Sequence, residues 1–218
     1  STNVLPAELP FVDRGGLLAG ILGMTRAVLE EAQDSLDPQR AIFVKAPEGA
    51  GKSRLVAELA RRCEEGGVTL FSASCWGDGT SSVEGLQKLV VEISDALGSD
   101  SKCVSQYAEL ISLARKGQHG NAADQGLTNF LRAASYEKGF LLHLADIERG
   151  PEWVRGFVDT LVRSLEELPA PLAVCVTTAP HLKVESLLTD LADDRLIEVW
   201  GLPTFAQDEL AEIARLMF

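Results

Sequence analysis

A glycine-rich segment between an apolar run and an apolar-periodic helix constrains the fold of this chain more than any other feature. Residues 46–53 read APEGAGKS and fit the pattern G-x-x-x-x-G-K-[ST], with Ala46 at the first glycine position. The β-prone residues IFV precede the segment at 42–44, and a helical pattern follows it. A chance glycine-rich turn is the alternative. The intact GKS and both flanks favour a phosphate-binding loop at a helix N-terminus.

Each residue type in this segment has a chemical reason to be there. Gly49 and Gly51 can adopt backbone angles that let the chain wrap around a phosphate. Lys52 is predicted to reach the β- and γ-phosphates of ATP, and Ser53 to place its hydroxyl on Mg²⁺. The predicted nucleotide-binding segment is completed by Pro47, Glu48, Ala50 and Arg54.

Composition limits the other function classes. The 218 residues are 46% apolar, which suits one α/β domain, and no run approaches the roughly 18 apolar residues of a membrane span. The N-terminus has no signal pattern, so we expect a cytoplasmic protein that does not contact membranes. The four cysteines are far apart and predict neither a disulfide framework nor a zinc site, and Cys75 and Cys175, in or beside predicted strands, are expected to be buried thiols. The formal net charge of −12 makes direct nucleic-acid binding by this segment an unlikely function.

Five β-prone runs alternate with helical patterns along the chain. The alternation predicts an α/β fold in which a parallel sheet is covered by helices on both faces. We expect residues 1–203 to form a P-loop nucleotide-binding domain. Residues 204–218 would begin a helical lid or a further domain, so the chain is expected to be a fragment of a longer protein. The predicted strands are 41–46, 68–75, 140–145, 172–178 and 196–200.

The third predicted strand ends in acids that suit a nucleotide-bound metal. Asp146 is the natural Mg²⁺ ligand, and Glu148 is the nearest candidate for the base that polarises the attacking water. If the chain stays extended, the two side chains share a face. The alternative is that both acids merely solvate a strand end, which is more probable for Glu148 than for Asp146.

Two further polar positions accompany the acids. Thr177, at the end of the fourth strand, is a candidate contact to the γ-phosphate or the water, although two threonines ending a strand are equally well explained by β propensity. His143, inside the third strand, is predicted to be a satisfied core histidine, because no other ligand lies at metal spacing.

The order of these parts resembles the AAA+-related ATPase modules of the STAND class. The sequence LPFVDR at 9–14 resembles the family's opening box, and GAGKSRLVAEL at 49–59 its loop and following helix. The resemblance implies a three-layer fold with strand order 5-1-4-3-2 and places Phe11 and Val12 near the adenine. Asp13 departs from the opening box, and Ala145 stands where an ungapped alignment expects the metal acid.

Three functions fit these observations. The first is an ATP-binding switch with slow hydrolysis in a larger regulatory or signalling protein, whose partners are ATP or ADP, other domains or proteins, and further copies of the chain. The second is a degenerate P-loop domain that recruits proteins and binds nucleotide weakly or not at all. The third, a small-molecule phosphotransferase, ranks last, because Arg149 and Arg155 stand isolated and no basic lid is evident.

Overall fold

A computed structural model describes residues 16–30, 39–75, 81–117 and 123–202 of the chain. The five strands are β1 Ala41–Lys45, β2 Thr69–Ser74, β3 Phe140–Ala145, β4 Leu172–Thr178 and β5 Ile197–Gly201. The α-helices within these ranges are α1 Leu17–Glu30, α2 Lys52–Glu65, α3 Ser81–Leu97, α4 Lys102–Gln106, α5 Ala108–Arg115, α6 Ala123–Glu137, α7 Glu152–Glu167 and α8 Leu182–Asp193.

The strands form one parallel sheet in the order β2-β3-β4-β1-β5. This order is the predicted 5-1-4-3-2 read from the other edge, so the expected α/β fold and strand order are confirmed. β1 lies between β4 and β5, and β3 lies between β2 and β4. The carboxyl ends of β1, β3 and β4 therefore meet at one edge of the sheet, where open α/β sheets bind ligands.

Burial explains why the central strands were readable from sequence. All seven residues of β4 are buried, as are the first four of β1 and the first five of β3. A parallel strand covered on both faces is a continuous apolar run, which is the pattern that these segments show. β2 lies at the edge, and its alternate residues Ser72 and Ser74 are exposed.

Helices cover both faces of the sheet around two apolar clusters. Side chains of α1 and α2 pack on the face that carries Ile42, Val44 and Cys175. Side chains of α3 to α8 pack on the opposite face, against Phe43, Val174 and Val176. This arrangement gives the predicted three layers. The glycine-rich segment lies at the start of α2, on the face that α1 and α2 cover.

Some expectations are refined, and others lie outside the described residues. Between α3 and β3 the chain forms α4, α5 and α6, and the short α4 is capped by Ser101, whose Oγ accepts a hydrogen bond of 3.0 Å from Val104 N. The four cysteines are free and buried, as predicted for Cys75 and Cys175. None of the described helices is long and apolar enough to cross a membrane. Phe11, Val12 and residues 204–218 lie outside the described ranges.

Candidate functional site

The glycine-rich segment forms a loop from the end of β1 to the start of α2. α2 begins at Lys52, after Gly51 at φ 94°, and Gly49 has φ 78°. Both angles lie in the left-handed region that glycine adopts without strain, so the loop conformation requires glycine at both positions. Ala46 is fully buried, and its N–H donates a 2.9 Å hydrogen bond to the carbonyl of Thr178. The small side chain expected there is accommodated where the chain leaves the sheet.

The ammonium group of Lys52 folds back over its own loop. Its Nζ donates to the carbonyl of Ala46 at 3.0 Å and lies 3.5 Å from that of Pro47. A bound phosphate would offer this cation a stronger, charged acceptor than two carbonyls. Ser53 and Arg54 are exposed next to it, at the first turn of α2. The predicted binding residues 47–54 thus share one continuous loop and helix start.

The acidic segment after β3 does not continue as extended chain. Asp146 has φ 56° and ψ 45°, and residues Ile147–Arg149 form a 3-10 turn with Ile147 fully buried. The expectation that Asp146 and Glu148 share a face by strand alternation is therefore wrong. The N–H of Asp146 donates to the carbonyl of Thr177 at 2.9 Å, which fastens the segment to the end of β4.

Ala145 is the last residue of β3 and stands where the sequence resemblance expects an acid. Alternation in β3 puts it on the same face as Leu141, which packs against the cluster of α1 and α2. That is the face on which the phosphate loop passes into α2. Asp146, one residue later and in left-handed geometry, supplies the first carboxylate of this segment.

Glu148 is held in place by the other threonine of β4. Its Oε2 accepts a 2.9 Å hydrogen bond from Thr178 Oγ1, and its side chain is only 5% exposed. Thr177 instead contacts His143 through Oγ1, at 3.0 Å from Nε2. Sequence reasoning singled out Thr177 and missed Thr178. Alternation shows that the two hydroxyls point to opposite faces of β4, but it does not show which face carries the acid.

His143 belongs to a hydrogen-bonded chain across three strands. Its Nδ1 lies 2.8 Å from Ser72 Oγ of β2, and its Nε2 contacts Thr177 of β4. Burial lowers the pKa of His143 to about 4, so the ring is neutral at pH 7. The prediction of a satisfied core histidine is confirmed.

An ion pair joins the phosphate loop to the turn after β3. The guanidinium of Arg149 contacts the carboxylate of Glu48, 101 residues away in sequence. The Nε of Arg149 also lies 4.0 Å from Glu148. Arg149 thus pairs with acids and not with further cations. Arg155 donates a 2.9 Å hydrogen bond to the carbonyl of Gly150.

Cys75, directly after β2, borders the acidic segment. Its N–H donates to the carbonyl of Ala145 at 2.8 Å. Burial raises the pKa of the Cys75 thiol to about 12, and the carboxylates of Asp146 and Glu148 add to the effect. The thiol is therefore protonated at neutral pH and is not a nucleophile there.

The carboxylates and hydroxyls suit a metal that arrives with a nucleotide. Among the described residues, no group of three or more His, Cys, Asp or Glu side chains could hold a metal by itself. Nucleotide-bound Mg²⁺ needs only one or two protein ligands, because phosphates and water complete its octahedron. Ser53 and Asp146 remain the predicted ligands for such a metal.

Comparison with solved structures identifies the fold. No protein-family profile and no curated protein matches the sequence. Cdc6p from Pyrobaculum aerophilum is 12% identical with a TM-score of 0.57, over 99% of this chain and 51% of that one. The ORC2 protein of Aeropyrum pernix, solved as ADPNP–ADP complexes, is 15% identical with a TM-score of 0.52, over 99% and 53%.

A DNA replication initiation factor shares the same fold. It is 15% identical with a TM-score of 0.50, over 94% of this chain and 51% of that one. The chain thus spans about half the length of these proteins. At such identities the likeness shows the fold alone, a parallel α/β sheet with the strand order that the sequence resemblance implied. It lends no support to the expectation that nucleic acid is not a partner.

Proposed function

We propose that this chain is a Mg²⁺-ATP-binding module of the AAA+ type that acts as a nucleotide-dependent switch and hydrolyses ATP slowly. The observation that carries the proposal is the loop itself. Gly49 and Gly51 take left-handed angles, and the ammonium of Lys52 lies over the loop's own carbonyls. A loop that is bent by two glycines at a helix N-terminus, with a lysine ammonium over it, can bind a triphosphate and neutralise part of its charge.

In this proposal each residue has one of three roles: it binds the nucleotide or its metal, it accepts a proton, or it positions another residue. Lys52 and the loop amides bind the β- and γ-phosphates, while Ser53 and Asp146 hold the cation. Mg²⁺, when bound, supplies charge neutralisation at those phosphates. Glu148 accepts a proton from the attacking water, and Thr178 holds that carboxylate in position. Thr177, whose hydroxyl contacts His143, stays the sequence's candidate for a phosphate contact.

Two features support slow turnover. Ala145 stands where the sequence resemblance expects a carboxylate, and one oxygen of Glu148 is already bonded to Thr178. A general base must reach the proton that it abstracts, and a carboxylate that is only 5% exposed and accepts from Thr178 at Oε2 offers the water little more than Oε1. The module is then a holder of nucleotide more than a fast enzyme.

The finer parts of the proposal rest on the sequence resemblance. We place the module in a longer regulatory protein of the STAND kind, with residues 1–203 as the nucleotide-binding domain and 204–218 as the start of a lid or further domain. Nucleotide would then change its contacts with other domains, other proteins or further copies of the chain.

The alternative is a degenerate P-loop domain that recruits proteins without nucleotide. The replacement of the strand-end acid by Ala145 is the observation that favours it. The two functions differ in one measurable property, because a ligand that binds only the folded state must raise its stability.

Thermal unfolding with and without Mg²⁺-ATP tests the proposal. Nucleotide at a hundred times its Kd should stabilise the wild type by about 2.7 kcal/mol. Lys52→Ala removes a charged contact worth about 1.5–3 kcal/mol and should weaken binding tenfold to a hundredfold. Lys88→Ala is the matched control, because Lys88 is an exposed lysine of α3 paired only loosely with Glu92. Unchanged melting of a well-folded wild type would favour the degenerate module.

A further inference from the structure

The phosphate loop carries an acid of its own. Glu48 lies four residues before Lys52, and its side chain is 74% exposed. A carboxylate in the loop repels the polyphosphate that the same loop would bind. Over the distances within one loop, which are comparable to the Debye length of about 8 Å at physiological ionic strength, that repulsion is only partly screened.

Arg149 is the cation placed against this acid. Its guanidinium contacts the carboxylate of Glu48, whereas Lys52 of the same loop donates to backbone carbonyls. The side chain of Arg149 is 40% exposed, so the pair lies at the mouth of the site and not in the core. An exposed pair of this kind contributes little to folding, so any larger effect should appear in the binding of charged ligands.

The turn that presents Arg149 is held at several points. Ile147 is fully buried, the N–H of Arg149 donates to the carbonyl of Asp146 at 3.1 Å, and that of Gly150 donates to Ile147 at 3.2 Å. Gly150 packs so closely on β2's end that a Cβ there would lie 2.9 Å from the carbonyl oxygen of Cys75. The guanidinium thus starts from a backbone position fixed relative to the sheet.

We propose that Arg149 neutralises Glu48 and thereby sets the affinity of the phosphate loop for polyphosphate nucleotides. This inference rests on the proposed function of the same site. It makes Arg149 a positioning residue that acts through Glu48, and it makes the pair, not the loop motif alone, the determinant of affinity. The effect grows with ligand charge, so it is larger for ATP than for ADP at equal Mg²⁺.

A double-mutant cycle on nucleotide affinity tests this role. Arg149→Met should weaken ATP binding about threefold to tenfold, the range of coupling between charged neighbours. Glu48→Gln should leave affinity unchanged or raise it. In the Glu48→Gln background no carboxylate holds the 40% exposed Arg149 side chain at the loop, so its charge is screened by solvent and Arg149→Met should cost less than twofold. The coupling should shrink as the salt concentration rises from about 50 mM to about 500 mM, because ions screen exposed charges. It should also be smaller for ADP than for ATP.

Controls separate this role from a structural one. Arg155→Met removes a half-buried arginine that donates to the carbonyl of Gly150, in the turn that also carries Arg149. This variant should leave nucleotide affinity within twofold of wild type. Melting temperatures without nucleotide show whether any variant is unfolded. Equal losses from Arg149→Met in both Glu48 backgrounds, or no loss in either, would overturn the inference while leaving the proposed function intact. A wild type without Lys52-dependent binding would overturn both.

Discussion

Thr177 and Thr178 are chemically identical neighbours with different surroundings. The hydroxyl of Thr177 contacts the buried ring of His143, and that of Thr178 donates to Glu148. Only Thr178 therefore touches a residue that the proposed chemistry uses. A single position along β4 separates a residue that joins strands from one that positions an acid.

Steady-state phosphate release should divide these polar residues into two groups. Glu148→Gln removes the proposed base and should lower turnover at least tenfold with little change in nucleotide affinity, since general bases contribute about 10² to 10⁴. Thr178→Val should lower turnover in the same assay, because it removes the hydroxyl that holds the Glu148 carboxylate in position. Asp146→Asn should instead weaken Mg²⁺-dependent binding. Turnover that survives both Glu148→Gln and Asp146→Asn would show that the acids are misassigned.

At the scale of elements, α3 lies unusually close to the edge strand β2. A Cβ built on Gly85 would lie 2.2 Å from the backbone oxygen of Ser74, nearer than any real contact. The helix reaches this distance only because position 85 has no side chain. This close approach sets the position of β2's carboxyl end, which continues into Cys75 beside the acidic segment.

A pair of glycine substitutions measures that approach. Gly85→Ala should destabilise the fold by about 1–3 kcal/mol, because backbone must move to admit the methyl group. Gly126→Ala on α6 meets nothing within 4 Å, so it should be neutral or stabilising by up to about 1 kcal/mol. Urea denaturation of both variants gives the comparison. Equal stabilities would mean that α3 and β2 are farther apart in solution.

At the scale of the whole molecule, the chain Ser72–His143–Thr177 ties the edge strand to the centre of the sheet. Its histidine is neutral when folded, with a pKa of about 4 against an ordinary 6.5. Between these values the unfolded chain binds more protons than the folded one. The contribution of His143 to stability is therefore complete above pH 6.5 and is lost as pH falls toward 4.

The free energy of unfolding should thus carry a histidine signature. Between pH 7.5 and pH 5 the wild type should lose about 2 kcal/mol through this group. His143→Gln should remove that part of the pH dependence, and His181→Gln, at the exposed start of α8, should retain it. Urea titrations at the two pH values provide the test. An NMR titration that gave His143 a pKa near 6.5 would contradict the buried, neutral ring.

The sheet was predictable from sequence because buried strands appear in the sequence as runs of apolar residues. β3 and β4 were predicted to their observed ends, since strands buried on both faces are unbroken apolar runs. The contacts between residues of the site correspond to no such pattern in the sequence. Glu48 meets Arg149 across 101 residues, and Asp146 turns the chain left-handed, so neither followed from periodicity or from extended-chain alternation.

The last two carbonyls of β4 bind the two halves of the site. Thr178 accepts from the N–H of Ala46 at the start of the loop, and Thr177 accepts from that of Asp146 at the start of the acidic turn. Both bonds are made by main chain, so they do not depend on which side chains stand there. The spacing between anion cradle and acid is thereby a property of the topology. The side chains of the site can therefore vary, with an alanine at position 145 for example, while the phosphate loop and the acidic turn keep their positions relative to each other.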